Sequence, residues 1–412
     1  MQVDGARLMQ LFLQSGGTKE RDIACEQRCN RDPGSSLTAS AKSIFRLLAE
    51  GNPSTRPQLG EVLNLSRPTM SAAMGELEQL GLVAKIGEVQ GLIGRKAAIY
   101  RPGPQAGHVI AIDAGSTHVR LRVSTIDRRL LHSRVYRLPA SQLLLGEEIS
   151  RAVADEVSAT LAETDDGWGP LRMIGIAVPS RVVGPQGDQN ATRQEEIFSR
   201  FEPPADVPVV LENNVNCAAV AERSNGAAKD AETFAYVQIG LKIGMGVMLG
   251  GRLLRGRNGA AGEIGHLAFP MADGSRPIPG EIERYMGTEA FMQRVLATWP
   301  DSADSQPADA ADLMARAGEG CATALAHVTR HAEDIGAIVA SCVSVLDPGL
   351  VVLGGGLGGS SLLLPTVSDV ANRLSYPVEV RTSTLGQDAT VLGIEKLTCE
   401  QTVDLLLGER RD

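Results

Sequence analysis

Hydrophobic positions along the chain change their spacing near residue 104. Before that point the spacing is mostly helical. "TASAKSIFRLLAEG" puts Ile44, Leu47 and Leu48 on one face, with Gly51 just past the end. "RPQLGEVLNL" predicts a second, short helix. "SRPTMSAAMGELEQLGL" predicts a third, with Ser66 as N-cap and Met70, Ala73, Met74, Leu77 and Leu80 at helical intervals. "VAKIGEVQGLIGRKAAIYRP" then reads as two short alternating strands around a Gly-rich turn. Past "RPGPQAG" the texture becomes α/β. "HVIAIDAGSTHVRLRVSTID" predicts two strands joined by a tight turn, Val119, Leu121 and Val123 alternating with Arg120 and Arg122. A third strand, a helix carrying Ile149, Val153, Val157 and Leu161, and the strand "RMIGIAVPS" follow. "TFAYVQIGLKIGMGVMLGGRLL" opens the same way, strand, Gly-rich turn, strand, so two similar lobes with a ligand cleft between them are expected. "IGAIVASCVSVL", stopped by Asp347-Pro348, predicts a buried helix feeding a strand.

Three helices and a basic hairpin make a winged helix-turn-helix. Charge supports this assignment. Between Thr38 and Gly103 eight Lys/Arg face five Glu, a net of +3; of the chain's 40 basic and 49 acidic residues, 32 and 44 then remain elsewhere, a net of -12. A basic module on an acidic body is the footprint of DNA binding. Arg67, Thr69, Ser71 and Ala72 would face the major groove, and Arg95 and Lys96 would reach phosphates or the minor groove. The domain division expected is a disordered leader over 1–37, a DNA-binding head over 38–103, a first lobe over 104–228 and a second over 229–412, with the C-terminal segment returning to the first lobe.

The formal charge of -9 argues against a polybasic or membrane-surface protein. No secretory signal is visible, and no apolar run reaches membrane-spanning length. Six scattered cysteines suggest no disulfide framework. A cytoplasmic protein is expected.

In "AIDAGSTHV", Asp113 stands at a strand end, followed by Gly115 and Thr117. Small residues there expose backbone N–H groups to phosphate, and a carboxylate suits Mg²⁺. With "VLENNVNCAAVAE", "GRLLRGRNGAAGEIGHLAF", "IERYMG" and "VLDPGLVVLGGGLG", in this order and spacing, the chain resembles the ROK family of sugar kinases and sugar-responsive repressors over roughly residues 105 to 400. The resemblance implies a two-lobed actin-like, ribonuclease-H-like ATPase fold. It implies that Asp113, Gly115 and Thr117 meet nucleotide phosphate. It also implies that a sugar lies against Asn213, Asn214, Glu263, His266 and Glu283, whose donors and acceptors suit vicinal hydroxyls.

Four departures from the family's kinases stand out. Asn214 occupies the place of the catalytic Asp, and an amide cannot serve as the base, a role worth roughly 10²–10⁴ in rate. Lys242 stands where the phosphate turn usually has glycine. No cysteine follows His266 in "LAFPMADGSRPIPGEI", so the family's zinc knuckle is absent. The Pro-Gly of the sugar-facing loop is Pro179-Ser180.

Asn213 and Asn214 suit helix capping as well as ligand contact. His327 and His331, at i and i+4, are expected on a solvated helix face. The expectation is a sugar-responsive DNA-binding repressor, dimeric or tetrameric. It would have no catalytic residue, metal or cofactor, and its partners would be an operator duplex and a sugar or sugar phosphate. The alternative is an ATP-dependent sugar kinase with an accessory DNA-binding head.

Overall fold

The computed structural model describes residues 37–90, 96–139, 146–182, 197–267, 278–300 and 305–409. The leader and the wing tip with Arg95 lie outside the described residues. Helix α1 (Ala39–Ala49) begins at Thr38, whose side chain accepts from the Ala41 amide. It buries Ala41, Ile44, Phe45 and Leu48, while Leu47 is only partly covered. Strand β1 (Ser54–Thr55) leads into α2 (Arg56–Val62) through a reciprocal capping box between Thr55 and Gln58. Helix α3 (Arg67–Gln79) starts at the Ser66 cap and buries Met70, Ala73, Met74 and Leu77. Leu80, expected with them, is the C-cap residue and is exposed, because the helix has turned past its buried stripe. Strands β2 (Val83–Gln90) and β3 (Lys96–Pro102) pair antiparallel, and β1 joins β3. The result is a winged helix-turn-helix.

The body repeats one sheet twice. In the first sheet β4 (His108–Ala114), β5 (His118–Thr125) and β6 (Leu130–Arg137) form an antiparallel meander. After α4 (Glu147–Ala162), β7 (Leu171–Val178) and β8 (Val209–Asn213) add in parallel, giving the order β6-β5-β4-β7-β8. Helix α5 (Asn214–Asn225) crosses to the second sheet, where β9 (Phe234–Ile239), β10 (Ile243–Leu249) and β11 (Arg252–Leu253) form the same meander. Helices α6 (Glu281–Met286), α7 (Thr288–Thr298), α8 (Ala310–Gly318) and α9 (Ala322–Leu346) follow. Then come β12 (Leu350–Gly354), the single turn α10 (Gly355–Gly358), α11 (Leu364–Leu374) and β13 (Glu379–Thr382), and the order β11-β10-β9-β12-β13 repeats the first. This is the two-lobed actin-like architecture.

Both sheets are covered on both faces, which is why β4 and β9 are apolar almost without alternation. Ile110 and Ile112 of β4 pack towards α4, and Ala235 and Val237 of β9 towards α9 and α11. The opposite faces meet the last helix, α12 (Ala389–Leu406), and α5. Ile394 of α12 packs with Ala111, Ala177 and Cys217, and Val215 and Ala219 of α5 pack with Phe234 and Tyr236. Two glycines permit this close stacking. A Cβ on Gly175 would lie 1.8 Å from Thr398 Oγ1, and one on Gly393 would lie 1.8 Å from the Cys217 carbonyl. The end of α12 enters a core shared by the head and the first lobe: Cys399, Val403, Leu406 and Leu407 join Ile44, Phe45, Leu77 and Tyr100 of the head and Val109 and Met173 of the first lobe.

Two further expectations need correction. Leu161 is exposed although Ile149, Val153 and Val157 of α4 are buried. His331 is buried, not on a solvated face, and stacks on Phe291 with ring centroids 4.0 Å apart. Its partner side chain comes from α7, outside its own helical pattern. Among the described residues no helix is long and apolar enough to cross a membrane.

Candidate functional site

The turn from β8 into α5 organises the cleft. Asn213 ends the strand and caps the helix: its Oδ1 accepts from the Val215 and Asn216 amides at 2.9 and 3.2 Å, and its Nδ2 donates to the Ser180 carbonyl at 3.1 Å. Asn214 Oδ1 also accepts from Val215 N, at 2.9 Å. Its Nδ2 has no partner among the described residues. Beneath both, the buried Glu212 carboxylate accepts from the Asn213 amide at 2.9 Å and Asn216 Nδ2 at 3.0 Å, and ion-pairs with Arg255 at 2.7 Å. Glu212 thus holds the Asn-Asn turn and ties it to the loop of the second lobe. Sequence reasoning passed over it. Its signal was a lone carboxylate at the end of an apolar strand.

Glu263 and His266 lie on that second-lobe loop. The loop follows β11 and packs on β10 at Gly262, whose φ is +88° and where a Cβ would meet the Met245 carbonyl at 1.8 Å. Residues Ile264–His266 form one 3₁₀ turn, closed by the His266 amide donating to the Glu263 carbonyl at 3.1 Å. Glu283, in the first turn of α6, packs on this turn: its Oε2 is 3.2 Å from the position a Cβ on Gly265 would take. Burial raises the Glu263 pKa above the usual carboxylate value, with His266, Arg181 and Lys242 opposing the rise. His266 is exposed to the cleft.

Across the cleft, Asp113 ends β4 and is buried. Burial pushes its carboxyl up to about 7, with Arg120 opposing from 4.0 Å and Asp388 adding to the rise. Gly115 lets the turn close: a Cβ there would meet the His118 carbonyl at 2.9 Å. Thr117 is exposed and its hydroxyl meets His118 Nδ1 at 2.9 Å. Asn213, Asn214, Glu263, His266 and Glu283 line the same cavity of about 1080 Å³ as Asp113, Gly115 and Thr117. Lys242, Arg181, Gln387 and Thr390 line it too. Among the described residues no group of three His, Cys, Asp or Glu could hold a metal ion.

On the head, Arg67, Thr69, Ser71 and Ala72 are all exposed, on the side of α3 opposite its buried stripe. The Thr69 hydroxyl meets Ser66 Oγ at 2.7 Å. Lys96 is exposed at the start of β3, 3.9 Å from Glu88. Arg95 lies outside the described residues.

Fold and cleft together define a two-lobed, sugar-kinase-like body carrying a winged helix-turn-helix head. The chain belongs to the ROK family, whose model matches residues 109–401. It is 24% identical to the xylose repressor of Bacillus subtilis over 380 residues, 89% of this chain and 96% of that protein. It is 25% identical to a glucokinase of Halalkalibacterium halodurans over 308 residues, 69% of this chain and 92% of the enzyme. Among solved structures, a ROK family transcriptional regulator described as a homologue of the Escherichia coli MLC protein superimposes with a TM-score of 0.69 at 20% identity, covering 91% of this chain and 97% of that one.

Proposed function

We propose that the chain is a sugar-responsive, DNA-binding transcriptional repressor whose kinase-like body senses a sugar without phosphorylating it. The observation that carries this reading is the path of α12. Gln387 and Thr390, at its start, line the cleft, and Val403, Leu406 and Leu407, at its end, belong to the core that the head shares with the first lobe. Eighteen residues of helix span about 27 Å. A ligand that moves the lobes relative to each other moves a helix already packed into the DNA-binding head. The regulator relative matches more of the chain than the kinase relative does, which favours the same reading.

Residues 38–103 form the DNA-binding head in this account, 104–228 and 229–412 the lobes. Arg67, Thr69, Ser71 and Ala72 read bases, while Arg95 and Lys96 contact the backbone or minor groove. The sugar is held by Asn213, Asn214, Glu263, His266 and Glu283. Asn214 offers a donor to a hydroxyl but takes no proton from it, so phosphoryl transfer lacks its base. Asp113, Gly115 and Thr117 keep the shape of a phosphate turn, with Asp113 facing Arg120. A homodimer on an inverted repeat is the assembly proposed.

The test is selection of bound duplexes from a random library with the full chain, followed by anisotropy titration of the winner with a panel of sugars. Sequence-selective binding that one sugar changes supports the reading. Binding to no duplex beyond a non-specific background contradicts it.

A further inference from the structure

The passage from head to body, Pro-Gly-Pro-Gln-Ala-Gly, has the composition of a tether and is held as a clamp. Gly103 N donates to the Leu82 carbonyl at 2.7 Å, and His108 N to the Pro170 carbonyl at 3.0 Å. Between them Pro104–Ala106 form one 3₁₀ turn. Arg172 of β7 holds that turn by its carbonyls, donating to Ala106 at 3.2 Å and also to Gln105. Backbone meets backbone as well: a Cβ on Gly169 would lie 1.9 Å from the Pro104 carbonyl, and one on Gly107 2.2 Å from that of Pro170.

A second joint lies at the turn after β5. There the buried Asp127 carboxylate pairs with Arg101 of β3 at 2.9 Å. The Asp127 carbonyl is 3.3 Å from the position that a Cβ on Gly51, just past α1, would take. The third joint is apolar. Ala106 of the clamp and Ile126 beside Asp127 are buried in the same core as the end of α12. A head on one flexible strand could turn to follow DNA. Contacts to β7, to the turn after β5 and to α12 come from separate elements of the body, and together they remove that freedom.

We propose that Arg172 and Asp127 are positioning residues that fix the head on the first lobe and so determine which half-site spacing the protein accepts. This rests on the reading above of a homodimer on an inverted repeat, and adds what sets its spacing. Each base pair added at the centre of an operator moves one half-site by about 3.4 Å and turns it by about 35°. Two added pairs turn it by roughly 70°, which a tethered head could follow and a clamped head cannot. Only one head then reads its half-site, and the gain from simultaneous engagement is lost.

The experiment is anisotropy titration of the full chain with the selected duplex, with versions lengthened or shortened at the centre by two base pairs, and with a duplex carrying a single half-site. Each is repeated with Arg172→Met, Asp127→Asn and the double variant, after circular dichroism shows an unchanged fold. Wild type should lose about tenfold or more in affinity when the spacing changes by two pairs. In the double variant this penalty should shrink to about threefold or less, while affinity for the single half-site stays within about twofold of wild type. That split separates a positioning role from general damage to the head. If the double variant does not fold, Arg172→Lys and Asp127→Asn carry the test: a reduced penalty in either supports the proposal, and a full penalty in both overturns it. Wild type that accepts the altered spacings within about threefold also overturns it and leaves the DNA-binding reading standing. So does a folded double variant that keeps the full penalty. Failure to select any duplex overturns both.

Discussion

Arg46, on the first helix of the head, lies 2.8 Å from the carboxylate of Asp404, in the last turn of α12. The same guanidinium reaches Glu409 at 2.5 Å, and Arg101 of the wing pairs with Asp127 of the first lobe at 2.9 Å. Asp404 is nearly buried, and Arg46 offsets its charge. The pair locks the end of α12 to the head beside the shared apolar core. Replacing Asp404 with Asn should loosen this joint at a cost of roughly 1–3 kcal/mol. Ligand affinity, measured by calorimetry, should be unchanged, while the ligand's effect on DNA affinity falls. Equal coupling in the variant and the wild type would mean that the signal travels another way.

DNA contacts separate into two kinds. Arg67→Ala should cost roughly 1–3 kcal/mol on the selected duplex and relax preference at one base position. Arg95→Ala with Lys96→Ala should weaken all duplexes alike and lower the slope of log Kd against log salt by about two. Anisotropy titrations at several salt concentrations check both. Selected sites should be inverted repeats with half-site centres about 10 bp apart, or a multiple.

No sugar in the panel should stimulate ADP formation, because Asn214 supplies no base. A coupled assay detects this directly. Steady, sugar-dependent ADP production that Asp113→Ala abolishes would establish the kinase alternative. Metal analysis should find no stoichiometric zinc, since the region after His266 brings no cysteine.

The buried His331 gives a pH signature. Burial lowers its pKa from 6.5 to about 4, and Arg294 adds to the shift. Both ring nitrogens are buried without a hydrogen-bond partner. Above pH 6.5 neither the folded nor the unfolded chain carries this proton, and the residue adds no pH dependence. As pH falls from 6.5 to about 4 the unfolded chain takes up the proton and the folded chain does not, so stability drops by up to roughly 3 kcal/mol and then levels off. Denaturant unfolding of His331→Leu should lack this loss and show at least wild-type stability at pH 7.5. A variant with the same acid dependence as wild type would assign the effect to other groups.

Much of the fold was legible because its signals are local. The Ser66 cap, the stripe of Met70, Ala73, Met74 and Leu77, and the repeated strand-turn-strand openings each lie within a few residues. The repeated strand order of the two sheets follows from the second opening matching the first. What stayed hidden depends on distant partners. His331 looked solvated because Phe291 is forty residues away. Glu212 looked incidental until Arg255 and the Asn213 amide were seen around it. The stacking of α12 depends on Gly175 and Gly393, and nothing near either glycine in the chain announces that role. Within the cleft, Asn213, Glu263 and His266 stood in recognisable motifs, whereas Arg181 and Gln387 did not.

Loss of Glu263 or His266 should leave ligand hydroxyls unpaired, at roughly 1–3 kcal/mol each. Glu263→Gln and His266→Ala should therefore bind the selected duplex normally, by anisotropy, and stop responding to the sugar. Response at unchanged sugar concentration in both variants would remove these residues from the site.

The central claim is that occupancy of the cleft and affinity for DNA are linked. Linkage requires an effector to bind the free protein and the DNA-bound protein with different affinities. Calorimetric titration of the tightest-binding sugar of the panel into the full chain, alone and saturated with its selected duplex, measures this directly. A repressor released by its effector should bind the sugar about fivefold or more tightly when free of DNA, a coupling of at least ~1 kcal/mol. Equal affinities in the two states would contradict the account.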